Sequence, residues 1–194
     1  MNPTFPLPTH RLPAGTVLAQ SRDGQGASVT MDSPALEVMT DLTRVKAATI
    51  APSASLQQAE QFMIHLGVRM LFVVREMPAI EGIVTATDLH GDVQMRLVQQ
   101  RNVRYDELTV ADVTTRLASL DAVDFDDLGK ATVRNLVATL RRYGRHHLLV
   151  VDGPVGARRV RGVISRTQIE RQLGAPVEVT EVATTFPDVV QMLS

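Results

Sequence analysis

The sequence contains no cysteine and no tryptophan, and aromatic residues make up only 4% of the chain. Without cysteine there can be no disulfide framework, no thiolate zinc or iron–sulfur site and no cysteine nucleophile. The absence of cysteine also fits a reducing cytoplasm, which is the location that we expect. With so few aromatic rings, a stacking platform for single-stranded nucleic acid is not expected.

An excess of one charge and a long apolar run are also missing. The 20 lysine and arginine residues nearly balance the 21 aspartate and glutamate residues, so the net charge is −1. This balance argues against nucleic acid or a membrane surface as the main partner. No apolar run approaches the roughly 18–20 residues that a membrane span needs. The first residues also lack the basic and apolar regions of a secretory signal.

Irregular structure is expected at the start of the chain, and an apolar tail at its end. Residues 1–33 contain four prolines and three glycines, which disfavour a helix. Ser33 and Pro34 are typical of a helix start, so a short helix is predicted after them. Its apolar face would consist of Leu36, Val38, Met39 and Leu42. The tail at 175–194 either packs on its own domain or provides a dimer contact or a dock for a partner.

The rest of the chain contains the same order of elements twice, and 44% apolar residues are enough for a buried core. In each copy a short strand precedes a helix, a buried strand, a hairpin, a third strand and the start of another helix. In the first copy, the strands are predicted at 47–50, 70–74 and 82–84, and the long helix at 56–66. In the second copy, the strands are predicted at 121–125, 148–151 and 162–164, and the long helix at 133–143.

From the long helix onward, the spacing between the two copies is constant except at one loop. Gly67 and Gly144, which end the long helices, are 77 residues apart, whereas Gly82 and Gly162 are 80 apart. The three extra residues fall in the hairpin, where insertions are tolerated. We therefore predict an α/β fold in which two βαββα units pack around a pseudo-twofold axis. The predicted organisation is an irregular segment at 1–33, repeats at 34–100 and 101–174, and a tail at 175–194.

Both third strands enter a helix through similar segments, GIVTATD at 82–88 and GVISRTQ at 162–168. The free backbone N–H groups of a helix start attract phosphate, and Gly82 would let the backbone approach a ligand closely. Thr85 offers a hydroxyl to a phosphate, and Asp88 could accept both hydroxyls of a ribose. The alternative is structural, with Thr85 capping the helix and Asp88 completing its first turn.

With the duplicated βαββα units around it, this segment resembles the CBS domain (cystathionine-β-synthase domain). Two in tandem resemble a CBS-domain pair, or Bateman module. The resemblance covers about residues 34–173, and LTVADV at 108–113 is similar to the lead-in of such domains. It implies a regulatory module, not an enzyme, that binds an adenosine nucleotide (AMP, ADP or ATP) or S-adenosylmethionine in the cleft between the repeats.

The resemblance also implies two pockets, each joining this segment of one repeat to the first and second strands of the other. The first would be formed by Gly82, Ile83, Val84, Thr85, Thr87, Asp88, Ala122, Val123, His146, His147 and Leu148. The second would be formed by Thr49, Ile50, Arg69, Met70, Ser165, Arg166 and Gln168. Gln168 stands where a second aspartate is expected, and an amide lacks the charge that strengthens a ribose contact. We expect the second pocket to be the weaker, although Arg166 could compensate by contacting a phosphate.

Charged and metal-ligating residues near these pockets have alternative interpretations. Asp121, Asp124, Asp126 and Asp127 either favour the start of the nearby helix or, if they point into the first pocket, require Mg²⁺ for a polyphosphate ligand. His146 and His147 should face opposite ways on a strand and so not share a metal ion, and no metal site is predicted. They either contact a ligand phosphate or are plain surface residues. The eight arginines between 141 and 171 either form ion pairs or attract phosphate.

The sequence thus predicts a stand-alone, ligand-sensing CBS-domain pair that regulates an unknown partner. It has no nucleophile-elbow, P-loop or dinucleotide-binding motif, so an enzyme is not expected. The alternative is a structural dimerisation module with degenerate, unliganded pockets. A homodimer is expected in either case, through a helical surface that includes Phe62, Leu66, Leu140 and Tyr143.

Overall fold

The computed structural model describes residues 29–178 of the 194-residue chain, so residues 1–28 and 179–194 of the predicted end segments lie outside it. The α-helices of this part are Leu56–Leu66 (α1), Ala86–His90 (α2), Asp92–Arg101 (α3), Val110–Val113 (α4), Phe125–Leu128 (α5), Val133–Tyr143 (α6) and Arg166–Leu173 (α7). The strands are Met39–Asp41 (β1), Thr49–Ile50 (β2), Met70–Val73 (β3), Gly82–Thr85 (β4), Thr115–Arg116 (β5), Ala122–Asp124 (β6), His147–Asp152 (β7) and Arg159–Ser165 (β8). None of the described helices has the length and apolar character to cross a membrane.

The two long helices begin and end in the same way, as the constant spacing predicts. In α1, Ser55 and Gln58 form a reciprocal capping box, and Gly67 ends the helix in the left-handed conformation with φ of 64°. In α6, the equivalent box pairs Thr132 with Asn135, and the helix ends at Gly144 with φ of 59°. Glycine is favoured at both ends because it alone adopts positive φ without strain.

Each repeat builds a four-stranded sheet with the same order and register. One sheet has the order β2-β3-β4-β5, and the other has β6-β7-β8-β1. In the first, Met70 pairs with Thr85; in the second, His147 pairs with Ser165 at the equivalent position. The predicted α/β fold with two related βαββα units is therefore confirmed.

One edge strand of each sheet comes from outside the βαββα unit that forms the other three strands. Strand β1, which precedes the first repeat's own strands, pairs with β8 of the second repeat, and β5 pairs with β4 of the first. The prediction of a helix after Ser33 and Pro34 is therefore wrong beyond its first turn. A 3-10 helix spans Ala35–Val38, and the chain then becomes β1 because its backbone hydrogen bonds go to β8. Within the segment assigned by sequence to the first repeat, Met39–Asp41 pair with the second sheet, and Ala35 and Val38 pack in the apolar cluster of the second repeat.

The two motif glycines accommodate these exchanged strands. A Cβ atom on Gly82 would lie 2.2 Å from the backbone oxygen of Thr115 in β5. A Cβ atom on Gly162 would lie 2.6 Å from Sδ of Met39 in β1. At Gly82 the close backbone approach is made to a neighbouring strand, and an approach to a ligand stays a prediction.

The core has three parts, which give a helix–sheet–sheet–helix arrangement. One apolar cluster lies between the first sheet and helices α1 and α2, and a second lies between the second sheet and helices α6 and α7. The third joins the two sheets face to face through Met70, Phe72, Val74, Ile83, Leu149 and Val163. Leu140 of α6 is 0% exposed, so it contributes to the core and not to the predicted dimer surface. Val177, in the described part of the tail, packs on the second-repeat cluster.

A polar link also ties β1 to the second repeat. The Arg161 guanidinium makes two hydrogen bonds to Asp41 of β1, at 3.0 and 3.1 Å, and lies 4.8 Å from the centre of the Phe125 ring. Hydrogen bonds from Arg161 and Thr43 hold the pKa of the Asp41 carboxyl well below its usual value. The link therefore joins β1, β8 and α5.

Candidate ligand-binding cleft

A cavity of about 390 Å³ lies between the two repeats. The first repeat contributes Ala48, Val68, Met70 and Phe72 to its wall, and the second contributes Val163, Ser165, Thr167, Gln168 and Arg171. The connection from β1 to β2 closes one side with Leu42, Val45, Lys46 and Ala47. The cavity is therefore mostly apolar, with polar and cationic groups at the start of α7, which is the usual composition of a small-molecule site.

A second cavity of about 250 Å³ adjoins the first and shares Arg69, His147 and Thr167 with it. Its wall is built from equivalent positions of both repeats: Arg69 corresponds to His146, Ala86 to Arg166, and Thr87 to Thr167. This cavity consequently lies at the pseudo-twofold axis. We call the first the apolar cavity and the second the axial cavity.

The residues predicted for the first pocket are only partly brought together. Thr85, Thr87, His146 and His147 line the axial cavity. Ile83, Val84 and Leu148 are buried in apolar clusters, and Ala122 and Val123 lie on β6, outside the walls of both cavities. Strand β7 begins only at His147, so strand alternation does not extend to His146, and the opposite orientation of the two side chains stays a prediction.

Asp88 takes part in a capping box at the start of α2. Its Oδ2 accepts hydrogen bonds from the backbone N–H and the hydroxyl of Thr85, both at 2.7 Å. Burial raises the pKa of the Asp88 carboxyl, against the opposing effect of the two Thr85 hydrogen bonds and the positive charge of Arg145. The structural alternative for Thr85 and Asp88 is thus the arrangement observed, and a ribose contact by Asp88 stays a prediction.

The residues predicted for the second pocket fall mainly in the apolar cavity. Arg69, Met70, Ser165 and Gln168 line it, and Arg166 lines the axial cavity. Thr49 and Ile50 form β2 and lie outside both walls. Gln168 does not reproduce the Asp88 box: its Oε1 accepts a hydrogen bond from Arg171, and the Ser165 side chain makes no cap hydrogen bond to α7.

Several residues of these walls were not predicted from the sequence. Thr167 could have been found from repeat symmetry, since Thr87 is its equivalent. Arg171 lies four residues after Thr167, which places both on one face of α7. Lys46 and Val45 carry no local signal, because they line the cavity only through the pairing of β1 with the second repeat.

The cavity walls are cationic. Lys46, Arg69 and Arg171 line the apolar cavity, Arg166 lines the axial cavity, and no carboxylate among the described residues lines either one. Arg166 Nε is buried without a hydrogen-bond partner, and its ion pair with Glu170 Oε1 is 3.6 Å long. Burial, reinforced by the ionisable His146 and the positive charges of Arg69 and Arg166, lowers the pKa of His147 to about 4.

The acidic residues before α6 lie elsewhere. Asp124, Asp126, Asp127 and Asp152 line a separate cavity of about 420 Å³, where Arg158 forms an ion pair of 2.9 Å with Asp124. Asp121 pairs with Arg145. In the described part of the chain, no group of three or more acidic or histidine side chains is arranged to hold a metal ion. These carboxylates therefore do not oppose a phosphate in the cleft.

Known proteins share this architecture. A family model described as the CBS domain matches residues 35–91, whereas no curated protein matches the sequence. An uncharacterized conserved protein from Pyrococcus horikoshii has a similar structure, with a TM-score of 0.55 and 19% identity over 78% of this chain and 100% of that chain. CBSX2 from Arabidopsis thaliana, solved in complex with AMP, gives a TM-score of 0.51 and 20% identity over 72% of this chain and 94% of that chain.

A third similar structure is the CBS domain of a bacterial CNNM/CorC family Mg²⁺ transporter in complex with an inhibitor. Its TM-score is 0.50, with 22% identity over 75% of this chain and 79% of that chain. At these identities the similarity establishes the fold, and the family model identifies the segment that contains GIVTATD. Residues 35–91 are therefore similar to a CBS domain, and the described part of the chain has the fold of a tandem CBS-domain pair.

Proposed function

We propose that the chain is a regulatory, non-catalytic module that senses an adenosine nucleotide in the cleft between its repeats. The observation that carries this proposal is the pair of adjoining cavities, one with a mostly apolar wall and one with a polar, cationic wall. An adenine base fits the apolar cavity, and a phosphate fits the axial cavity beside Arg69 and Arg166. AMP in the CBSX2 complex, which has the same fold, supports this class of ligand.

The apolar cavity makes the Ser165 side the better candidate, although the sequence analysis ranks it second. Ser165, Thr167 and Gln168 supply hydroxyl and amide groups between the apolar wall and the axial cavity, where the ribose would lie. On the other side, Asp88 Oδ2 already accepts two hydrogen bonds from Thr85. A ribose contact there has to compete with the capping box or use the other carboxylate oxygen.

Ligand binding in this cleft would couple to the arrangement of the repeats. Both repeats and the β1–β2 connection line the apolar cavity, so an occupant contacts all three. A ligand that prefers one relative arrangement shifts the population towards it, and a partner protein can read that shift. The identity of that partner and the cytoplasmic location remain predictions.

The test is ligand-dependent unfolding of the wild-type chain with AMP, ADP and ATP, each with and without Mg²⁺. A ligand at 100 times its Kd stabilises the folded state by about 2.7 kcal/mol. Thr167→Phe, at an exposed position that lines both cavities, should abolish this stabilisation. The matched control Ala111→Phe, at an exposed position on α4, should keep it.

The outcomes separate the two sides of the cleft and the alternative function. If Thr167→Phe keeps the stabilisation and Asp88→Ala loses it, the ligand binds at the Asp88 side. If no adenosine ligand stabilises the wild-type chain, the structural dimerisation module is the better account. That alternative is favoured by the apolar side chains of Phe62 on α1 and Tyr143 on α6, which are 38% and 46% exposed.

A further inference from the structure

The two repeats differ in charge where their motif segments meet the cleft. Ala86 and Asp88 of the first repeat correspond to Arg166 and Gln168 of the second. Relative to the first repeat, the second has therefore gained one positive charge and lost one negative charge. This difference in charge lies on the side of the cleft that contains the apolar cavity.

The positive charge at the axial cavity is only partly compensated. Glu170 is the carboxylate that pairs with Arg166, but its Oε1 already accepts a hydrogen bond of 3.0 Å from the backbone N–H of Val177. Arg69 of the first repeat also lines this cavity, and no carboxylate among the described side chains does. An anion between the two guanidinium groups would form charge-assisted hydrogen bonds in a partly buried setting.

The environment of His147 is consistent with a positive potential in the cleft. Three positively charged or ionisable groups, His146, Arg69 and Arg166, add to burial in lowering the pKa of His147 to about 4. At pH 7 the imidazole is therefore neutral, and the fixed charge of the axial cavity comes from the two arginines. A cationic ligand would meet the same repulsion that the His147 proton meets.

We propose that Arg166 and Gln168 make this site select its ligand by charge, favouring a phosphate-bearing nucleotide over an uncharged nucleoside and disfavouring an adenosine ligand with a sulfonium cation. This inference rests on the proposed function and narrows its ligand class. Arg166 supplies an anion contact that Ala86 cannot supply. Gln168 removes the carboxylate that would otherwise attract a cation and repel a phosphate.

Two matched pairs of ligands test the proposal by titration calorimetry at pH 7.5. AMP and adenosine differ by the phosphate, and S-adenosylmethionine and S-adenosylhomocysteine differ by one methyl group and its positive charge. We expect AMP to bind about 10- to 100-fold more tightly than adenosine, since one or two charge-assisted hydrogen bonds are involved. We expect S-adenosylmethionine to bind more weakly than S-adenosylhomocysteine. Raising the salt concentration should weaken AMP binding and leave adenosine binding nearly unchanged.

The double variant Arg166→Ala/Gln168→Asp gives the second repeat the motif charges of the first. It should bring the affinities of AMP and adenosine together and remove the penalty against S-adenosylmethionine. The control Arg104→Ala/Arg134→Ala lowers the net charge by the same two units at exposed positions outside both cavity walls and should keep the wild-type preferences.

Two results would overturn the proposal, and they can be told apart. If all four ligands bind the wild-type chain with similar affinity, the charge selection is wrong and the proposed function stands. If none of the four binds, the charge selection fails, and the proposed function fails with it when ADP and ATP also give no stabilisation. A double variant with the wild-type preferences would assign the selectivity to other residues and so also reject the proposal.

Discussion

Protonation of His147 should destabilise the folded protein in mildly acidic solution. The side chain is largely buried at the start of β7, and the groups that face it, His146, Arg69 and Arg166, are positively charged or ionisable. In the unfolded chain an ordinary histidine has a pKa near 6.5, whereas burial followed by these charges lowers the pKa of His147 to about 4 in the folded state. The unfolded state therefore takes up a proton first as the pH falls.

The size of the effect follows from the two pKa values. The stability that neutral His147 contributes is fully present above pH 6.5 and is lost as the pH falls towards 4. At pH 5 the loss is about 2 kcal/mol, and at pH 6 it is about 0.8 kcal/mol. With an m-value of about 2 kcal/mol per M, the urea midpoint should move down by about 1 M between pH 7 and pH 5.

Urea unfolding at pH 7, 6 and 5 measures this loss, and His147→Gln isolates it. The variant cannot titrate at this position, so its midpoint should fall less with pH than that of the wild type. His65→Gln, at an exposed position on α1, is the control and should follow the wild type. If His147→Gln and wild type lose the same stability between pH 7 and pH 5, the burial argument for His147 is refuted.

Three further predictions concern the exchanged strands and the assembly. Gly82→Ala should lower the free energy of unfolding by about 3 kcal/mol in urea melts, because its Cβ would lie 2.2 Å from a backbone oxygen of β5. Arg161→Met and Asp41→Asn should each lower the Tm at pH 7, because they break the link from β1 to β8. Each loss in Tm should be smaller than that of Gly82→Ala, because the ion pair is partly solvated. Light scattering should give about twice the 21.2 kDa chain mass, and Phe62→Glu or Tyr143→Glu should give monomers; a wild-type monomer at all concentrations would exclude the homodimer.

The repeats and their internal register could be predicted because their signals are local. Each long helix carries a cap at its start and a glycine at its end, and each buried strand is a short apolar run. The offset of 77 between Gly67 and Gly144 holds for β3 and β7, and the offset of 80 between Gly82 and Gly162 holds for the ends of β4 and β8, so the two hairpins have the same register. The exchange of β1 and β5 could not be predicted, because strands of three and two residues have no periodicity and their partners are distant in sequence.

The candidate site was less predictable for a related reason. Thr85 and Asp88 use the same atoms to cap a helix and to contact a ligand, so residue types alone cannot separate the two roles. The position of the apolar cavity depends on Leu42 and Val45, which reach it only because β1 pairs with the second repeat. His147 was identified as a site residue, but its burial was missed. If His147 contacts a ligand phosphate, its protonated form would bind the phosphate more tightly. For this to matter at pH 6, the phosphate must raise the pKa of His147 from about 4 to above 6.

The strand exchange and the charge asymmetry bear on the same question of how one ligand could affect the whole fold. The β1–β2 connection is fixed to the second sheet through Thr40 in β1 and to the first sheet through Thr49 in β2. Leu42 and Ala47, between these two anchors, line the apolar cavity. A ligand in this cavity contacts the segment that connects the two sheets. Its binding would therefore stabilise the association of the two repeats and not one repeat alone. The cationic groups of the second repeat would then determine which ligand exerts this effect.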